Sequence, residues 1–567
     1  MASKIPSAYQ AISTLFFVFV LLGCAQKGAV TGGVKDTEPP KIEESVPLNF
    51  STQFSGNTIE LKFDEFVKVS SLSQELLVSP PLKYELEYQV KGKKVIFTIK
   101  DTLLPNTTYL FNFGEAIKDY TEGNALDSNL IVFSTGDELD SLYIKGEITD
   151  AFTVKPEDDM QVMLYRNLAD TAPLTTYPDF ITRVNKKGKF LLRNLPEGRY
   201  RLFGLRDKNR SKTFDQYTEK IAFDTTVYLS ADTMNFVSIR SFFENPTQQQ
   251  LLAKRQVNYG SMNMVFRLPV EHFQMTPLND HPLPFIYEWD NDRDSLFVWF
   301  TDSVDIDSLY YQVVINDTLI DTVNIRFSTK AEFEKKLKRN KKLKPLNLEL
   351  KAMSTGKVLF SEPYVLKSNI PLQSLDLEKL IFSVGEDTLA FENIKEDWFT
   401  IHPNAENDSL RMLEVSYPFE KDHSYGITFL PGAIGDVFGL ENDTIEFTFK
   451  TGRVEDYGKL LVNIDGADST TQNFVFELLD AKEKVVLRRE GISGTEQLEF
   501  SFLLPGNYNI RMVADANKNG FWDPGNYTFK TQAENMYYYP DQVNLKANWD
   551  YEVDWDFGRI HSDSTSN

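Results

Sequence analysis

The segment from Asp515 to Asp523 carries side-chain oxygens at a regular spacing. Carboxylate or amide oxygens stand at positions 1, 3, 5 and 9, in Asp515, Asn517, Asn519 and Asp523. Gly520, at position 6, permits the tight turn that such a loop needs. Hard oxygen donors at this spacing are the ligands that Ca²⁺ takes in proteins. The segment is therefore the candidate metal site of the chain, and Ca²⁺ is its candidate ion.

The same segment departs from the EF-hand loop whose spacing it follows. Position 12 is Asn526 instead of the bidentate Glu. An earlier copy, residues 207–215, places Lys212 at the glycine position and also carries Lys208 and Arg210, which would repel a cation. The alternative interpretation is an Asx-stabilised hairpin turn, in which Asp and Asn side chains bond to nearby backbone N–H groups.

Cys24 is the only cysteine of the 567 residues. It follows Lys4 and an apolar run of about 12 residues, too short to span a bilayer but of the length found in signal peptides. The sequence Leu21-Leu22-Gly23-Cys24 resembles the lipobox of bacterial lipoproteins. That resemblance implies cleavage before Cys24 and acylation of its sulfur, which would hold the protein to a membrane. The alternative is an ordinary secretory signal with an incidental cysteine.

Asp-Ser or Asp-Thr followed by a small or apolar residue recurs about 15 times, for example in Asp101-Thr102-Leu103 and Asp140-Ser141-Leu142. The pattern resembles the O-glycosylation sequon of Bacteroidota, which would suit an exported lipoprotein. The alternative is local: the Asp ends a turn and the apolar residue opens a strand.

Residues 331–344 form a basic segment in an acidic chain. Phe333 and Leu337, at a spacing of four, predict a short helix. Clustered lysines near a charged surface add about 1 kcal/mol each. One interpretation is a contact for an anionic partner, and the other is a solvated helix face. The candidate residues are Lys335, Lys336, Lys338, Arg339, Lys341 and Lys342.

The formal net charge of −22 argues against nucleic acid as a partner, because phosphates require basic surfaces. The sequence contains no Gly-x-Ser-x-Gly, no His-Glu-x-x-His and no phosphate-binding glycine-rich loop. Its five histidines are scattered. We therefore expect a protein without enzymatic activity.

The composition, rich in Phe and Tyr, is typical of an all-β protein. Ile59–Phe63 and Lys94–Ile99 alternate with period two, which predicts strands with one buried face. Residues 38–137 resemble the SbsA-type bacterial Ig-like domain through Pro39-Pro40, Thr107-Thr108-Tyr109 and Phe133-Ser134-Thr135-Gly136.

A second kind of module is marked by Leu195-Pro196-Glu197-Gly198-Arg199-Tyr200. It resembles a strand of carboxypeptidase-regulatory or transthyretin-like β-sandwiches. Both modules recur later in the chain, the Ig-like one ending at Phe449-Lys450-Thr451-Gly452. The sandwich repeat keeps one register over five pairs, namely Gly198/Gly506, Tyr200/Tyr508, Asp207/Asp515, Asn209/Asn517 and Asp215/Asp523.

The predicted fold is therefore all-β, with tandem antiparallel β-sandwich (Ig-like) domains in an extended multidomain chain. The predicted divisions are 1–23, a lipoprotein signal peptide; 24–37, a flexible tether; 38–137, the Ig-like domain; 138–240, the transthyretin-like sandwich; 241–367, a central Ig-like sandwich with the basic insert 331–344; 368–453, a second Ig-like domain; 454–558, a second transthyretin-like sandwich; and 559–567, a polar tail.

Tandem Ig-like lipoproteins of Bacteroidota resemble this chain over most of its length. The resemblance implies a non-enzymatic lipoprotein anchored in the outer membrane, on its periplasmic or extracellular face. We expect a scaffold or accessory subunit of an outer-membrane or cell-envelope protein complex. The alternative is a surface adhesin or glycan-binding protein. No cofactor is expected apart from Ca²⁺ at the Asp515 loop.

Overall fold

The computed structural model describes residues 36–556, except for 128, 230–235, 247, 259, 279–282, 291–292, 302–308, 317, 326–329, 340–347, 355–356, 402–409 and 468–472. Nearly all its secondary structure is antiparallel sheet, arranged in five successive modules. The predicted class of tandem β-sandwich domains is confirmed. No helix of the described residues is long and apolar enough to cross a membrane.

Module 1 has two sheets, of strand order β1-β2-β6-β5 and β4-β7-β9, and a ribbon of β3 with β8. Ile59, Leu61 and Phe63 of β2 are fully buried, as period-two alternation predicts. Its elements are β1 (Ile42–Val46), β2 (Thr58–Phe63), β3 (Val67–Val69), α1 (Leu72–Glu75), β4 (Leu77–Ser79), β5 (Glu87–Lys91), β6 (Lys94–Thr98), β7 (Thr108–Asn112), β8 (Ile117–Asp119) and β9 (Leu130–Ser134).

Module 2 is one sheet of order β12-β11-β14-β15-β17-β10-β13, with β16 added beside β14. Its first and last long strands, β10 and β17, run parallel to each other. The elements are β10 (Leu142–Asp150), β11 (Gln161–Tyr165), α2 (Ala172–Thr175), β12 (Phe180–Arg183), β13 (Lys189–Leu195), β14 (Arg199–Arg206), β15 (Lys220–Phe223), β16 (Tyr228–Leu229) and β17 (Phe236–Phe243).

Module 3 is a sandwich of two sheets, β18-β19-β22-β21 and β20-β23-β24, followed by a helix. That helix, α3, is the one predicted from Phe333 and Leu337. The elements are β18 (Leu251–Asn258), β19 (Ser261–Phe266), β20 (Phe273–Pro277), β21 (Phe285–Trp289), β22 (Ser295–Phe300), β23 (Leu309–Ile315), β24 (Thr318–Ile325) and α3 (Lys330–Arg339).

Module 4 repeats the strand plan of module 1, in sheets β25-β26-β31-β30 and β29-β28-β32-β34 with a ribbon of β27 and β33. Four 3₁₀ turns lie in or just after it, at Leu377–Lys379, Phe391–Asn393, Glu396–Trp398 and Val454–Asp456. The strands are β25 (Leu350–Ala352), β26 (Tyr364–Ser368), β27 (Leu372–Leu375), β28 (Leu380–Val384), β29 (Asp387–Thr388), β30 (Phe399–Ile401), β31 (Met412–Val415), β32 (Ser424–Phe429), β33 (Ile434–Asp436) and β34 (Ile445–Lys450).

Two module boundaries differ from the predicted divisions. The division at 240/241 falls inside β17, which pairs with β10 and β15 of module 2. The other is the division at 367/368. That position falls inside β26, whose Tyr364 and Leu366 are buried in the core of module 4 together with Leu350 of β25. The reason is a sheet contact that spacing alone does not reveal, because β26 pairs with β31 nearly 50 residues later.

Module 5 repeats the plan of module 2. Its sheets have the orders β38-β35-β42 and β37-β36-β39-β40, with β41 beside β39, and the parallel pair of its first and last strands is β35 with β42. The strands are β35 (Gly458–Ala467), β36 (Asn473–Leu479), β37 (Val485–Ile492), β38 (Gly494–Leu503), β39 (Gly506–Asp515), β40 (Met536–Tyr538), β41 (Val543–Leu545) and β42 (Asp550–Asp556).

Equivalent tyrosines hold equivalent turns in the repeated modules. The Tyr109 hydroxyl accepts a hydrogen bond from the Leu104 amide at 2.9 Å, and the Tyr425 hydroxyl accepts one from the Glu420 amide at 2.7 Å. In modules 2 and 5, Tyr200 donates to the Pro196 carbonyl at 3.0 Å and Tyr508 to that of Leu504 at 2.6 Å. The two repeats therefore share local bonding as well as strand order.

Modules 2 and 5 contact each other although module 3 and module 4 lie between them in the chain. The ring of Tyr527, from module 5, packs edge-on against Phe203 and Phe223 of module 2, with ring centroids 5.6 and 4.9 Å apart. Its hydroxyl donates to the Asp170 carbonyl at 2.6 Å. Gly525 is required nearby, because a Cβ there would lie 2.3 Å from the ring of Phe242.

Further contacts link every pair of successive modules from 2 to 5. The Arg267 guanidinium of module 3 lies over the Tyr217 ring of module 2. Arg411 of module 4 donates to both carboxylate oxygens of Glu288 in module 3. The Phe360 and Phe502 rings join modules 4 and 5, with centroids 5.4 Å apart. Together with the Tyr527 contact, these links form a closed ring of four modules.

Replacing Tyr527 by Ala should lower the free energy of unfolding by about 3–5 kcal/mol, because a buried aromatic side chain is lost. Urea unfolding measures the loss, and small-angle X-ray scattering should show larger maximum dimensions as the ring opens. Phe529→Ala is the matched control, since that ring lies in the same loop and is 74% exposed. Identical behaviour of the two variants would show that this contact does not close the ring.

Candidate functional site: a groove between modules 1 and 2 and the paired Asx loops

A groove of about 1020 Å³ lies between module 1 and module 2. One wall comes from residues 71–88 of module 1. The other comes from the segments 158–161, 177–184 and 205–212 of module 2. The volume is at the upper end of the range for small-molecule sites, about 300–1,000 Å³. The groove is therefore large enough for a ligand of several linked units.

Direct bonds between the modules fix the two walls. The Ile181 amide donates to the Ser79 hydroxyl at 3.1 Å, and Leu77 is buried in the apolar cluster of module 2. Arg183 donates to the carbonyls of Gln74 and Glu75 at the end of α1. These bonds cross from one module to the other, so the groove exists before any ligand arrives.

Three tyrosines line the groove and stay exposed. Tyr84, Tyr88 and Tyr177 are 53%, 44% and 52% exposed. The Lys212 ammonium lies over the Tyr177 ring, 5.3 Å from its centroid, and donates to the Leu82 carbonyl at 2.9 Å. Burial lowers the pKa of Lys212. Sequence reasoning did not find these tyrosines: Tyr88 stands on β5, where a single aromatic residue usually belongs to a core, and Tyr84 and Tyr177 stand in connecting segments without a recurring pattern.

The Asp515 loop is closed by hydrogen bonds among its own groups. Asp515 is buried and accepts from the amides of Asn519 and Gly520 at 3.1 and 2.8 Å. The side-chain amides of Asn517 and Asn519 both donate to Asp523 Oδ2 at 2.7 Å. This is the bonding of the Asx-turn interpretation. All four predicted residues are thus brought together.

The earlier copy of the loop has the same geometry. Asp207 accepts from the amides of Ser211 and Lys212 at 3.1 and 2.9 Å, and the Asn209 side chain donates to Asp215. Lys212 has φ of 59°, a left-handed conformation that Gly520 adopts in the other copy at 82°. The loops are equivalent, but the first copy lines the groove with its cationic side chains.

Each loop is completed by a glutamate that sequence reasoning missed. Glu219 accepts from the amides of Lys208 and Asp215 at 3.1 and 3.4 Å. Glu534 accepts from those of Ala516 and Asp523 at 2.7 and 3.1 Å. Burial raises the pKa of both carboxyls. The glutamates follow the loops by different intervals, so no fixed spacing marks them in the sequence.

In the described part of the chain, no group of three or more His, Cys, Asp or Glu side chains is placed to hold a metal ion. Calcium at the Asp515 loop stays a prediction. Calorimetric titration of the full chain with Ca²⁺, with Asp523→Ala for comparison, tests it.

A buried ion network crosses module 2. Lys220 bonds to Asp150 and, at 2.7 Å, to Glu157, while Arg206 pairs with the other oxygen of Glu157. The Ser241 hydroxyl donates to Glu157 at 2.6 Å. Both carboxylates face cations, so they form a salt-bridge network and not an acid–base pair. The network holds four strands, β10, β14, β15 and β17, and the loop of Glu157 together.

The other predicted residues divide into two groups. Lys335, Lys336, Lys338 and Arg339 lie on α3 and are exposed. Cys24, Lys341 and Lys342 lie outside the described residues, as does most of the predicted tether. At two Asp-Ser sites the strand begins at or just after the serine, at Ser295 and at Leu142, as the local interpretation predicts. Glycosylation there stays a prediction.

Residues 36–135 match the bacterial Ig-like domain family. This is module 1, which supplies one wall of the groove. The match supports the predicted resemblance for that module. The carboxypeptidase-regulatory resemblance of modules 2 and 5 remains an interpretation. No curated protein matches the chain.

Two solved structures are similar to the chain at low identity. The major pilin subunit BcpA of Bacillus cereus is 8% identical over 73% of this chain and 98% of that chain, with a TM-score of 0.12. The SGBP-B protein of the Bacteroides ovatus mixed-linkage glucan utilization locus, solved with a heptasaccharide, is 11% identical over 70% of this chain and 93% of that chain, with a TM-score of 0.17.

Replacing Lys220 by Met should destabilise the protein by about 3–5 kcal/mol, because it leaves buried carboxylates without their cation. Urea unfolding measures the change. Lys100→Met is the control, since its pair with Glu87 is exposed and such pairs contribute about 0–1 kcal/mol. Equal effects of the two substitutions would contradict a structural role for the network.

The same network predicts a pH dependence. Burial by itself raises the pKa of Asp150, but hydrogen bonds from Lys220 and Thr153 outweigh it and leave the pKa below the usual 3.8. Such a group contributes stability above its unfolded pKa and loses it as the pH falls through the folded pKa. The melting temperature should therefore fall below about pH 4, with a shallower slope in Asp150→Asn. Parallel slopes would exclude Asp150 as a contributor.

Proposed function

We propose that the chain is a non-catalytic, lipid-anchored scaffold protein of the outer membrane, which holds a partner protein of the cell envelope. The observation that carries the proposal is the closed ring of modules 2 to 5. Flexible strings of domains lack such contacts between distant modules. A docking platform benefits from a rigid frame, because no binding free energy is then spent on ordering the modules when the partner binds.

The ring is supported by contacts of several kinds. Arg240 of module 2 donates to the Ala533 carbonyl at 2.9 Å, and Gln532 donates to the Phe223 carbonyl at 2.8 Å. Because these bonds reach backbone groups, they fix the segment that carries Tyr527. The bidentate Glu288–Arg411 pair is largely buried. A charged pair of that geometry restricts orientation more than it adds stability.

A scaffold role is favoured over catalysis by the charges in the described residues. The most buried carboxylates either pair with cations, as Glu157, Glu288 and Glu477 do, or accept backbone amides, as Asp119, Asp436 and Asp515 do. A general acid or base needs a proton that it can exchange with a substrate. Groups already committed to structural bonds are poorly suited to that task.

The anchor is proposed from the Leu21-Leu22-Gly23-Cys24 sequence. Several acyl chains on Cys24 would give stable membrane attachment, because each buried methylene contributes about 0.8 kcal/mol. The predicted flexible tether, residues 24–37, would span about 19–22 Å, enough to hold module 1 clear of lipid headgroups.

Mass spectrometry of the mature N-terminus tests the anchor. We expect a first residue of Cys24 with a diacylglycerol thioether, and recovery of the protein in the membrane fraction. Cys24→Ala should shift it to the unprocessed or soluble fraction without changing its melting temperature. An unmodified thiol, or a mature start at another residue, would overturn the anchor.

Affinity capture from detergent-solubilised membranes tests the scaffold role. The full chain should retain an integral outer-membrane protein at a fixed ratio through gel filtration. Tyr527→Ala, which opens the ring, should retain less of it, while Phe529→Ala should behave as wild type. Recovery of no outer-membrane protein by the wild type would remove the proposal.

A second candidate function is glycan binding, and the groove between modules 1 and 2 favours it. Exposed tyrosines beside polar and charged side chains are the surface that sugars require: ring faces for stacking and donors for hydroxyls. The two functions are compatible, because the groove and the ring share only module 2.

A further inference from the structure

We infer that the groove between modules 1 and 2 binds oligosaccharides that carry anionic groups, with its tyrosines stacking on sugar rings and Lys208 and Arg210 pairing with the anions. This inference rests on the second candidate function. It adds the ligand class and the residues that select it.

The tyrosines supply the apolar part of the site. Tyr84 and Tyr88 stand on the module 1 wall and Tyr177 on the opposite wall. Each ring leaves roughly half its surface exposed, although burial of aromatic surface is favourable. Sugar rings present C–H faces that stack on aromatic rings while their hydroxyls stay hydrogen-bonded at the edges. Rings on facing walls can therefore hold consecutive sugars of one chain.

The charge of the groove is opposite to that of the whole chain. Six basic and four acidic residues line it, in a protein of net charge −22. Three of the cations are already engaged, Arg206 by Glu157 and Arg183 and Lys212 by backbone carbonyls. Among the described residues, Lys83, Lys208 and Arg210 form no salt bridge; the Lys83 ammonium lies over the Tyr84 ring and the Lys208 ammonium over the Phe243 ring, 5.4 and 5.7 Å from the ring centroids. These side chains remain available to an anionic ligand.

Burial lowers the pKa of Arg183, Glu75 and Asp159 act in the opposite direction, and the charge of Arg210 lowers it slightly further. Planar guanidinium groups bind carboxylates, sulfates and phosphates through two parallel hydrogen bonds. The acidic residues of the walls, such as Asp158, are placed to accept from sugar hydroxyls.

The loop that carries Arg210 is held in place before binding. Asp207 fixes the amides of the two following residues, Ser211 and Lys212, and Arg210 itself has φ of 63°. In the equivalent loop of module 5, Ala516 and Gly520 stand where module 2 has Lys208 and Lys212, while Lys518 stands at the position of Arg210. Lys208 and Lys212 are thus specific to the copy that lines the groove, and the charge at position 210 is common to both copies.

The test is an array of oligosaccharides probed with the full chain in detergent, including uronate, sulfated, phosphorylated and neutral sugars. We expect binding to at least one acidic class, weakened by salt. Calorimetry with that sugar and with its desulfated, dephosphorylated or carboxyl-reduced counterpart then separates charge from stacking. The neutral counterpart should bind at least tenfold more weakly.

Variants place the binding in the groove. Arg210→Asn, chosen because Asn tolerates a left-handed conformation, and Tyr177→Ala should each weaken binding at least tenfold. Tyr177→Phe should retain it. The controls are Arg193→Ala and Tyr120→Ala, which remove exposed side chains that do not line the groove. Unchanged melting temperatures show that the variants fold.

Three results would overturn the inference. Binding of neutral sugars alone, still dependent on Tyr177, would remove the acidic ligand class and leave glycan binding standing. Binding of acidic sugars that Arg210→Asn and Tyr177→Ala leave unchanged would move the site elsewhere. No binding to any sugar on the array would remove both the inference and the glycan-binding function.

Discussion

The insertion of Tyr527 against the sheet of module 2 is the contact on which the arrangement of the modules depends. Strand β11 shows why this contact is needed. Val162 and Leu164 face the core of module 2, whereas Met163 and Tyr165 face outward and are equally buried. A sheet with two apolar faces must be covered on both sides. Module 5 covers the outer face with a segment that lies more than 300 residues later in the chain.

The two copies of the sandwich differ at the place where they meet. In module 2, Glu219 follows Asp215 by four residues, but in module 5 Glu534 follows Asp523 by eleven. The additional residues form the segment with Gly525 and Tyr527. Both copies keep the closing glutamate, so the longer segment is tied at each end to the same hydrogen-bonded loop. A length difference in one copy thus creates the interface with the other.

The sequence was sufficient for the local structure. Period-two alternation located β2 and β6 because each has one face in a core. The Asp515 loop was found because its side-chain oxygens stand at positions 1, 3, 5 and 9 of one short segment. These features depend on neighbours in the chain, and spacing records them directly.

Contacts between distant segments were not predictable in the same way. The uninterrupted apolar runs of β11 and β15 signal strands buried on both faces, but they do not say which segment covers the second face. The closing glutamates Glu219 and Glu534 follow their loops by different numbers of residues, so spacing in the sequence does not identify them. The groove forms only when module 1 is held in one orientation against module 2. Contacts such as that of Arg183 with the end of α1 fix this orientation. Such pairings depend on tertiary packing and not on local pattern.

Module 2 takes part both in the ring of modules 2 to 5 and in the groove with module 1. Tyr527 packs on the outer sheet face of module 2. Leu77 and Ser79 of module 1 contact module 2 at another edge of the same apolar cluster. A ligand in the groove would contact walls that are already fixed, so little binding energy would be spent on ordering them. Because the ring and the groove share one sheet, a change at the Tyr527 contact would reach the groove through packed side chains and not through a flexible linker.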